Sequence, residues 1–215
     1  MTVPPSMCAP FLDAARVVLD LVDDDAVGAA WDRPSALEHL TVGALACHLA
    51  GQLASTEATL DHGVDAAGPV PVREHYTKVA WRGASLEEET NRAIRESAST
   101  NSALGSAALR SSAHEAFDRL ITRLPQLDGD TLVQPPWTTW SLRLDDFLMT
   151  RLVELTVHPD DLAVSLHVEP SPLPESVQQP VRHLLVDLAA QRHGEVAVLR
   201  ALTRSERAPR TISAF

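Results

Sequence analysis

Residues 144–166 read LDDFLMTRLVELTVHPDDLAVSL and show a regular spacing of leucines. These leucines recur at intervals of three, four or seven residues, which an α-helix with about 3.6 residues per turn brings onto one side. The members of this stripe are Leu144, Leu148, Leu152, Leu155, Leu162 and Leu166. The stretch therefore predicts a long amphipathic helix that buries its leucine stripe against other helices.

Helical spacing of apolar residues continues through the rest of the chain, and no run alternates convincingly with the period of two that is typical of a strand. Further helices are expected over residues 7–25, 41–61, 85–124 and 174–202, with an interruption of the third near residues 99–105. The tail from residue 203 is expected to be irregular. Four or five long amphipathic helices joined by loops favour an all-α helix bundle.

The composition indicates a globular protein rather than a disordered one, with 215 residues, 45% of them hydrophobic and 22% charged. A formal net charge of −11 argues against nucleic-acid binding, which needs cations to displace the counterions of phosphate. No apolar stretch approaches the ~20 residues of a membrane span, and the N-terminus lacks the pattern of a secretory signal. Cys8 and Cys47 alone do not make a disulfide framework, so we expect a cytoplasmic protein.

Helix bundles build metal and ligand sites from polar side chains that point inward, and three residues border the apolar stripes. His48 lies at the edge of the stripe of the helix at 41–61. Glu154 and His158 are four residues apart, so both project from nearly the same face of the helix at 144–166. Two imidazoles and a carboxylate with an open fourth position are typical of a catalytic zinc site.

The same residue spacings are also compatible with purely structural roles. A Glu and a His four residues apart are more often a surface hydrogen-bonded pair, and a lone His48 is more often a satisfied boundary residue. Pro159 adds an ambiguity, because it could kink the helix with both side chains still inward or could mark the start of a new helix.

Two motifs resemble those of a known family. Residues 40–49 read LTVGALACHL and follow Trp31 and Pro34-Ser35, while residues 151–163 read RLVELTVHPDDLA. Together they resemble the mycothiol-dependent maleylpyruvate isomerase family of the DinB/YfiT-like superfamily. The resemblance covers roughly residues 8 to 168. It implies a metal-binding four-helix bundle, with His48, Glu154 and His158 at the positions of the zinc ligands and mycothiol as the thiol cosubstrate.

The sequence also departs from the isomerase itself, which has a substantial C-terminal domain. We expect residues 1–168 to form the bundle and residues 169–215 to form a helical extension packed on it, so the substrate does not carry over. The resemblance implies a zinc-dependent, thiol-dependent isomerase or S-transferase that acts on a small electrophile. The alternative is a non-catalytic, metal-stabilised bundle that binds a small molecule or a partner protein, and a homodimer is compatible with either.

An electrophile that carries carboxylates needs cationic partners, and the sequence offers Arg82, Arg151, Arg200 and Arg204. Arg151 lies one turn before Glu154 and is the best placed for catalysis, although it could equally form an ion pair with Glu154 or Asp146. Arg200 and Arg204 are candidates for cofactor binding, as is Arg82, but cations also suit the C-terminal end of a helix. Asp161 could orient His158 as a hydrogen-bond acceptor. We interpret Cys47, about 100° away from His48, as a buried apolar residue.

Overall fold

The structure is a computed structural model that describes residues 6–66, 68–80 and 88–215. The helices in chain order are α1 (Cys8–Asp23), α2 (Asp25–Ala29), α3 (Val42–Asp61), α4 (Val72–Lys78), α5 (Glu89–Ser102), α6 (Ser106–Arg123), α7 (Leu144–Leu166), α8 (Glu175–His193) and α9 (Glu195–Thr203). Short 3₁₀ turns cover Leu124–Gln126 and Ser205–Arg207. Strands β1 (Leu132–Val133) and β2 (Leu142–Arg143) pair antiparallel, with Leu132 opposite Arg143 and Val133 opposite Leu142.

The core lies between α1, α3, α6 and α7, which pack against one another as a four-helix bundle. Helix α5 lies against α3, α8 packs against α7 and α1, and α9 packs against α8. The largest fully buried side chains of these four helices are all apolar, namely Phe11, Leu45, Leu49, Leu53, Leu120, Leu144, Phe147, Leu148 and Leu152. The predicted all-α bundle is therefore confirmed.

The loop before α3 fixes where that helix begins. Thr41 Oγ1 accepts a hydrogen bond from the Ala44 amide at 3.1 Å, as expected for an N-cap. The amides of Val42 and Gly43 donate to the carbonyl oxygens of Arg33 and Trp31, so the first turn of the helix is satisfied by the preceding loop. A Cβ at Gly43 would lie 2.5 Å from the Trp31 ring, so a larger residue does not fit at this position. The start of α3, and hence the position of His48, is tightly defined.

Helix α7 runs without interruption through Pro159. Of the two possibilities that the sequence left open, a helix that starts at Pro159 is wrong. Glu154 and His158 therefore remain one turn apart on one continuous helix. The helix ends at His167, which takes the left-handed conformation at φ 57° and caps it.

Two of the expected helices are divided. The third breaks between α5 and α6, within the predicted interruption, where Gly105 has φ 83°. The single helix predicted over residues 174–202 is wrong, because Gly194 with φ 88° separates α8 from α9. A positive φ suits glycine, which lacks a Cβ, and the chain turns at both places. Among the described residues, no helix combines the length and the apolar character needed to cross a membrane.

Candidate metal centre

Three side chains from two helices converge at one point between α3 and α7. Glu154 Oε2 lies 3.2 Å from His48 Nε2 and 3.0 Å from His158 Nε2. The two imidazole rings meet edge to face, with their centroids 4.8 Å apart. One ligand atom from each residue lies within 4.8 Å of the other two. The helical spacing of Glu154 and His158 and the docking of α3 on α7 together create this arrangement.

Asp161 holds the far side of the His158 ring. His158 Nδ1 donates to Asp161 Oδ2 at 2.9 Å, while its Nε2 donates to Glu154. Burial disfavours a charged imidazole, but the hydrogen bonds to Asp161 and Glu154 outweigh it and raise the pKa of His158 to about 9. Without a cation, His158 is therefore an imidazolium at neutral pH, and a cation that binds here must displace its proton.

Glu154 is the anion at the centre of the cluster. Its burial would by itself raise the pKa of the carboxyl group, but hydrogen bonds from His158 and His48 and the nearby charge of Arg151 hold that pKa well below its usual range. The carboxylate is therefore ionised throughout the physiological pH range. It provides the negative charge that a divalent cation in a partly buried site requires.

The chemistry of these donors fits a divalent transition metal. Two neutral imidazole nitrogens and one carboxylate oxygen form the His₂Glu set that is typical of catalytic zinc sites. The contact of Asp161 with His158 Nδ1 is of the kind that fixes the tautomer and orientation of histidines in metal sites. The side chains of His48, Glu154 and His158 are 22%, 19% and 18% exposed, so the cluster is shielded but reachable from solvent.

The cluster forms one wall of a cavity of about 360 Å³. The cavity lies between α3, α5 and α7 and the loop that precedes α3, and most of its remaining wall is apolar. The apolar lining residues are Leu37, Leu40, Ile94, Ala98, Val153, Val157 and Phe215. Its other polar lining residues are Glu38, Asn91 and Arg95. A small molecule in this cavity would meet the three candidate ligands from one side.

Arg151 lies beside the cluster but does not line the cavity. Its Nη1 donates to Gln52 Oε1 at 2.6 Å, and Gln52 Nε2 donates to the carbonyl oxygen of His48 at 3.0 Å. The guanidinium lies 5.4 Å from the Phe147 ring and 5.8 Å from the Trp137 ring. Among the described residues, Arg151 forms no ion pair with Glu154 or Asp146. Arg151 instead connects α7 to α3 through its hydrogen bond to Gln52. Its charge is also close enough to lower the pKa of Glu154.

The other predicted residues lie farther away or outside the described part of the chain. Arg82 falls in the undescribed range 81–87. Arg200 lies near the end of α9 and Arg204 directly after it, and neither lines the cavity. Cys47 faces a separate small groove between α3 and α6, where burial raises the pKa of its thiol to about 11. This agrees with its interpretation as a buried apolar residue.

Sequence reasoning missed the residues that complete the cavity. Asn91 and Arg95 line it from α5, and Phe215 lines it from the tail after α9. The positions 91, 94, 95 and 98 have the helical spacing of one face, but this spacing does not show which face of α5 meets the cavity. For Phe215 the sequence held no comparable signal, because the contact depends on the path of an irregular tail.

Another histidine, His75, is buried on α4, and the sequence alone assigned it no role. His75 Nδ1 accepts a hydrogen bond from Trp140 Nε1 at 3.1 Å, and the His75 ring lies 5.4 Å from that of Tyr76. Burial and the charge of Arg151 lower the pKa of His75 to about 4. His75 is therefore neutral at physiological pH and acts as a hydrogen-bonded part of an aromatic cluster.

Comparison with known proteins gives one match. A family model described as the mycothiol maleylpyruvate isomerase N-terminal domain matches residues 11–163. Comparisons with curated proteins and with solved structures find no match. The matched range contains His48, Glu154 and His158, together with all of α3 and α6 and most of α1 and α7.

Proposed function

The chain belongs to the mycothiol maleylpyruvate isomerase N-terminal domain family, and from that premise we propose that it is a zinc- and thiol-dependent isomerase or S-transferase that acts on a small electrophile. Mycothiol is the thiol that the family suggests. The observation that carries the proposal is the convergence of His48 Nε2, His158 Nε2 and Glu154 Oε2 at the wall of a cavity.

His48, Glu154 and His158 would hold the metal, and the side of the cluster that faces the cavity would stay open for a ligand. A divalent cation at such a position lowers the pKa of a bound thiol, and the thiolate is the nucleophilic form. Glu154 balances part of the positive charge. Asp161 keeps the Nδ1 proton of His158, which leaves the Nε2 lone pair of that ring for coordination.

The apolar lining of the cavity supports the same chemistry. Leu37, Leu40, Val153 and Val157 give an apolar surface to the space where a thiol and an electrophile would meet. In isomerisation, the thiolate adds to an activated double bond, the resulting single bond rotates, and elimination returns the thiolate with the double bond in the other geometry. In S-transfer, the carbon–sulfur bond persists, a proton is taken up on carbon, and the thiol is consumed.

Metal analysis tests the site directly. We expect about one equivalent of zinc per chain in the wild-type protein and a loss of most of it in His48→Ala, because one of three ligands is removed. His183→Ala, which removes an exposed histidine on α8, is the matched control and should keep its metal. Full metal content in His48→Ala would refute the assigned ligand set.

Thiol-consumption and isomerisation assays test the activity. The wild-type protein with zinc should accelerate the reaction of mycothiol with members of a panel of small electrophiles, and His48→Ala should not. Comparison of mycothiol with glutathione and cysteine would identify the thiol. Stoichiometric metal without turnover of any thiol and electrophile would contradict the enzymatic proposal and favour the non-catalytic metal-stabilised bundle.

The state of the two cysteines is relevant to the compartment in which the protein is located. Cys8 and Cys47 are both free and buried, as expected for a protein of a reducing compartment. We therefore extend the proposal to a cytoplasmic location, which cell fractionation would test.

A further inference from the structure

A second cavity adjoins the first one, which the metal-ligand cluster borders. Its volume is about 310 Å³, comparable to the 360 Å³ of the first cavity. Val157 of α7 and Phe215 of the tail line both cavities, so the two spaces meet at these side chains. The other apolar lining of the second cavity comes from α8, α9 and the tail, namely Leu185, Val186, Ala189, Val198, Ile212 and Ala214.

The tail that carries Phe215 is held in place. The carbonyl oxygen of Ser213 accepts a hydrogen bond from Arg192 Nη1 at 3.3 Å and another from His193 Nε2 at 2.8 Å, which ties the tail to the end of α8. Ser213 Oγ donates to the carbonyl oxygen of Phe215 at 2.7 Å. The Phe215 ring lies 5.4 Å from the ring of Tyr76, a buried residue of α4. The Phe215 ring is therefore a positioned wall between the two cavities.

The second cavity offers mainly apolar surface to a ligand. Ser213 is the one polar residue among its described lining residues. Its carbonyl oxygen and hydroxyl already have hydrogen-bond partners, and its amide donates to Thr211 Oγ1 at 3.0 Å. A polar group that entered this space would leave water and find few partners, whereas a hydrocarbon gains free energy by leaving water. The second cavity is therefore suited to an alkyl group.

We propose that Phe215 is a specificity-determining residue that limits the length of the ligand in the first cavity. Its ring, together with the Val157 side chain, closes the first cavity toward the second. A ligand with a short apolar group ends at this wall, and a longer alkyl chain needs the space behind it. This inference rests on the proposed function, since it concerns the ligand of the same cavity, but it does not depend on the metal.

The three isoleucines of the chain can report on the two cavities separately. Ile94 lines the first cavity, Ile212 lines the second, and Ile121 lines neither. NMR of full-length protein labelled at the isoleucine δ1 methyl groups therefore gives one signal for each cavity and an internal control. The probes are n-butanol and n-octanol, which share a head group and differ in chain length.

Removal of the Phe215 ring should join the two cavities. In Phe215→Ala, n-octanol should shift the Ile94 and Ile212 signals with one common dissociation constant, because a single chain reaches both cavities. In the wild-type protein the two signals should not titrate together. The preference for n-octanol over n-butanol, measured at Ile94, should be about 10- to 60-fold larger in the variant, since roughly two to three more methylenes are buried at about 3- to 4-fold each.

A second variant tests the same wall without changing the tail. Val157→Ala should also couple the Ile94 and Ile212 signals, although less strongly because it removes fewer atoms. If Phe215→Ala displaces the tail, the Ile212 signal will differ from that of the wild-type protein before ligand is added, and the result of Val157→Ala then decides. Leu202→Ala, which changes an exposed residue of α9 that lines neither cavity, is the control and should behave as the wild-type protein does.

Two results would overturn the inference. A common dissociation constant for Ile94 and Ile212 in the wild-type protein would show that Phe215 does not separate the cavities. Separate titration of the two signals in both Phe215→Ala and Val157→Ala would show that the cavities do not join at this wall.

Kinetics distinguish this inference from the proposed function. The electrophiles are ethyl vinyl ketone and hexyl vinyl ketone, to which a thiol adds by forming a carbon–sulfur bond at the terminal carbon while the adjacent carbon takes up a proton. We expect kcat/KM of the wild-type protein with mycothiol to be about 10-fold lower for the hexyl compound, and Phe215→Ala to remove that difference. Coupled NMR signals in the variants without any turnover would refute the proposed function and leave the length limit standing. Turnover by the wild-type protein that is equal for both ketones would overturn the length limit and leave the proposed function standing.

Discussion

The two buried histidine sites of this protein show opposite behaviour. His158 on α7 lies between two carboxylates, and although burial opposes the charge, the hydrogen bonds to Asp161 and Glu154 raise its pKa to about 9. His75 on α4 lies among aromatic rings, and burial together with the charge of Arg151 lowers its pKa to about 4. The same side chain is thus cationic in one pocket and neutral in the other.

The difference shows what makes a histidine part of a candidate cation site. Burial disfavours a charged imidazole at both places, so burial alone does not distinguish them. Carboxylates do, because they stabilise positive charge, whether it is a proton on the ring or a metal beside it. In the His75 pocket the hydrogen-bond partner is the Trp140 N–H, a donor that stabilises the neutral ring only.

The largest expected effect comes from removing the central carboxylate. Glu154→Gln keeps the shape of the side chain but takes away the charge that faces both imidazoles. We expect the affinity for zinc to fall about 100- to 1000-fold, the size of a lost buried charge partner. Competition titration against a chelating dye measures it. His75→Gln should leave the zinc affinity unchanged. A comparable loss of zinc affinity in His75→Gln would show that the His75 pocket also contributes to cation binding.

The second prediction concerns acid stability and depends on His75. Above pH 6.5 both folded and unfolded chains carry a neutral His75, so its full contribution is present. As the pH falls from 6.5 to 4, the unfolded chain takes up a proton that the folded protein refuses, and stability is lost. A shift of this size corresponds to about 3 kcal/mol in the free energy of unfolding.

Denaturant titrations of metal-free protein at several pH values between 6.5 and 4 check this prediction. His75→Gln should lose about 3 kcal/mol less stability over the range than the wild-type protein does. His158 adds no slope there, because the contribution of a raised pKa is fully present below pH 6.5 and is lost only as the pH rises towards 9. Parallel curves for the two proteins would show that His75 titrates normally in the folded state.

The third prediction concerns Asp161, the carboxylate that contacts His158 from the side opposite Glu154 and is not itself a candidate ligand. Asp161→Asn removes the charge that orients the ring. We expect a loss of about 10- to 100-fold in zinc affinity, as is common for outer partners of metal-bound histidines. The pKa of His158 in the metal-free protein should fall as well, which NMR titration of the imidazole resonances would show. An unchanged zinc affinity together with an unchanged pKa of His158 would mean that Asp161 does not contribute to the site.

The smallest expected effect comes from the aromatic pocket. Trp140→Phe removes the N–H that donates to His75 Nδ1 and leaves a buried acceptor without its donor. We expect the free energy of unfolding to fall by about 1–2 kcal/mol, with no change in zinc affinity. Urea denaturation at pH 7 measures the first quantity and dye competition the second. A drop in zinc affinity would show that the two pockets are coupled.

The parts of the fold that the sequence predicted well are those with strong periodicity. The helix expected over 144–166 has the observed bounds of α7, and the helix expected from Thr41 begins with that residue as its cap. Helix α4 was missed because its seven residues follow a stretch rich in glycine and proline and are too few to show a period. The break at Gly194 was missed because the apolar pattern continues across it.

The candidate site shows a similar limit. Helix geometry alone relates Glu154 to His158, and the family resemblance joins His48 to them, so these three could be assigned together. The hydrogen-bond partner of His75 and the residues of the cavity wall could not be assigned from the sequence. Trp140 is 65 residues away from His75 along the chain, and the position of Arg95 depends on how α5 crosses α3. The arginines predicted from the sequence therefore do not include Arg95, which lines the cavity.

The contact between Trp31 and Gly43 gives the molecule a built-in optical reporter. The indole lies on the first turn of α3 and its Nε1 donates to the carbonyl oxygen of Ser102, the last residue of α5. It thus touches the helix of His48 and the helix of Arg95 at once. Any ligand that draws these two helices together or apart will alter the surroundings of this indole. In a variant whose other three tryptophans are replaced by phenylalanine, the emission wavelength of Trp31 can follow occupancy of the cavity without an attached dye.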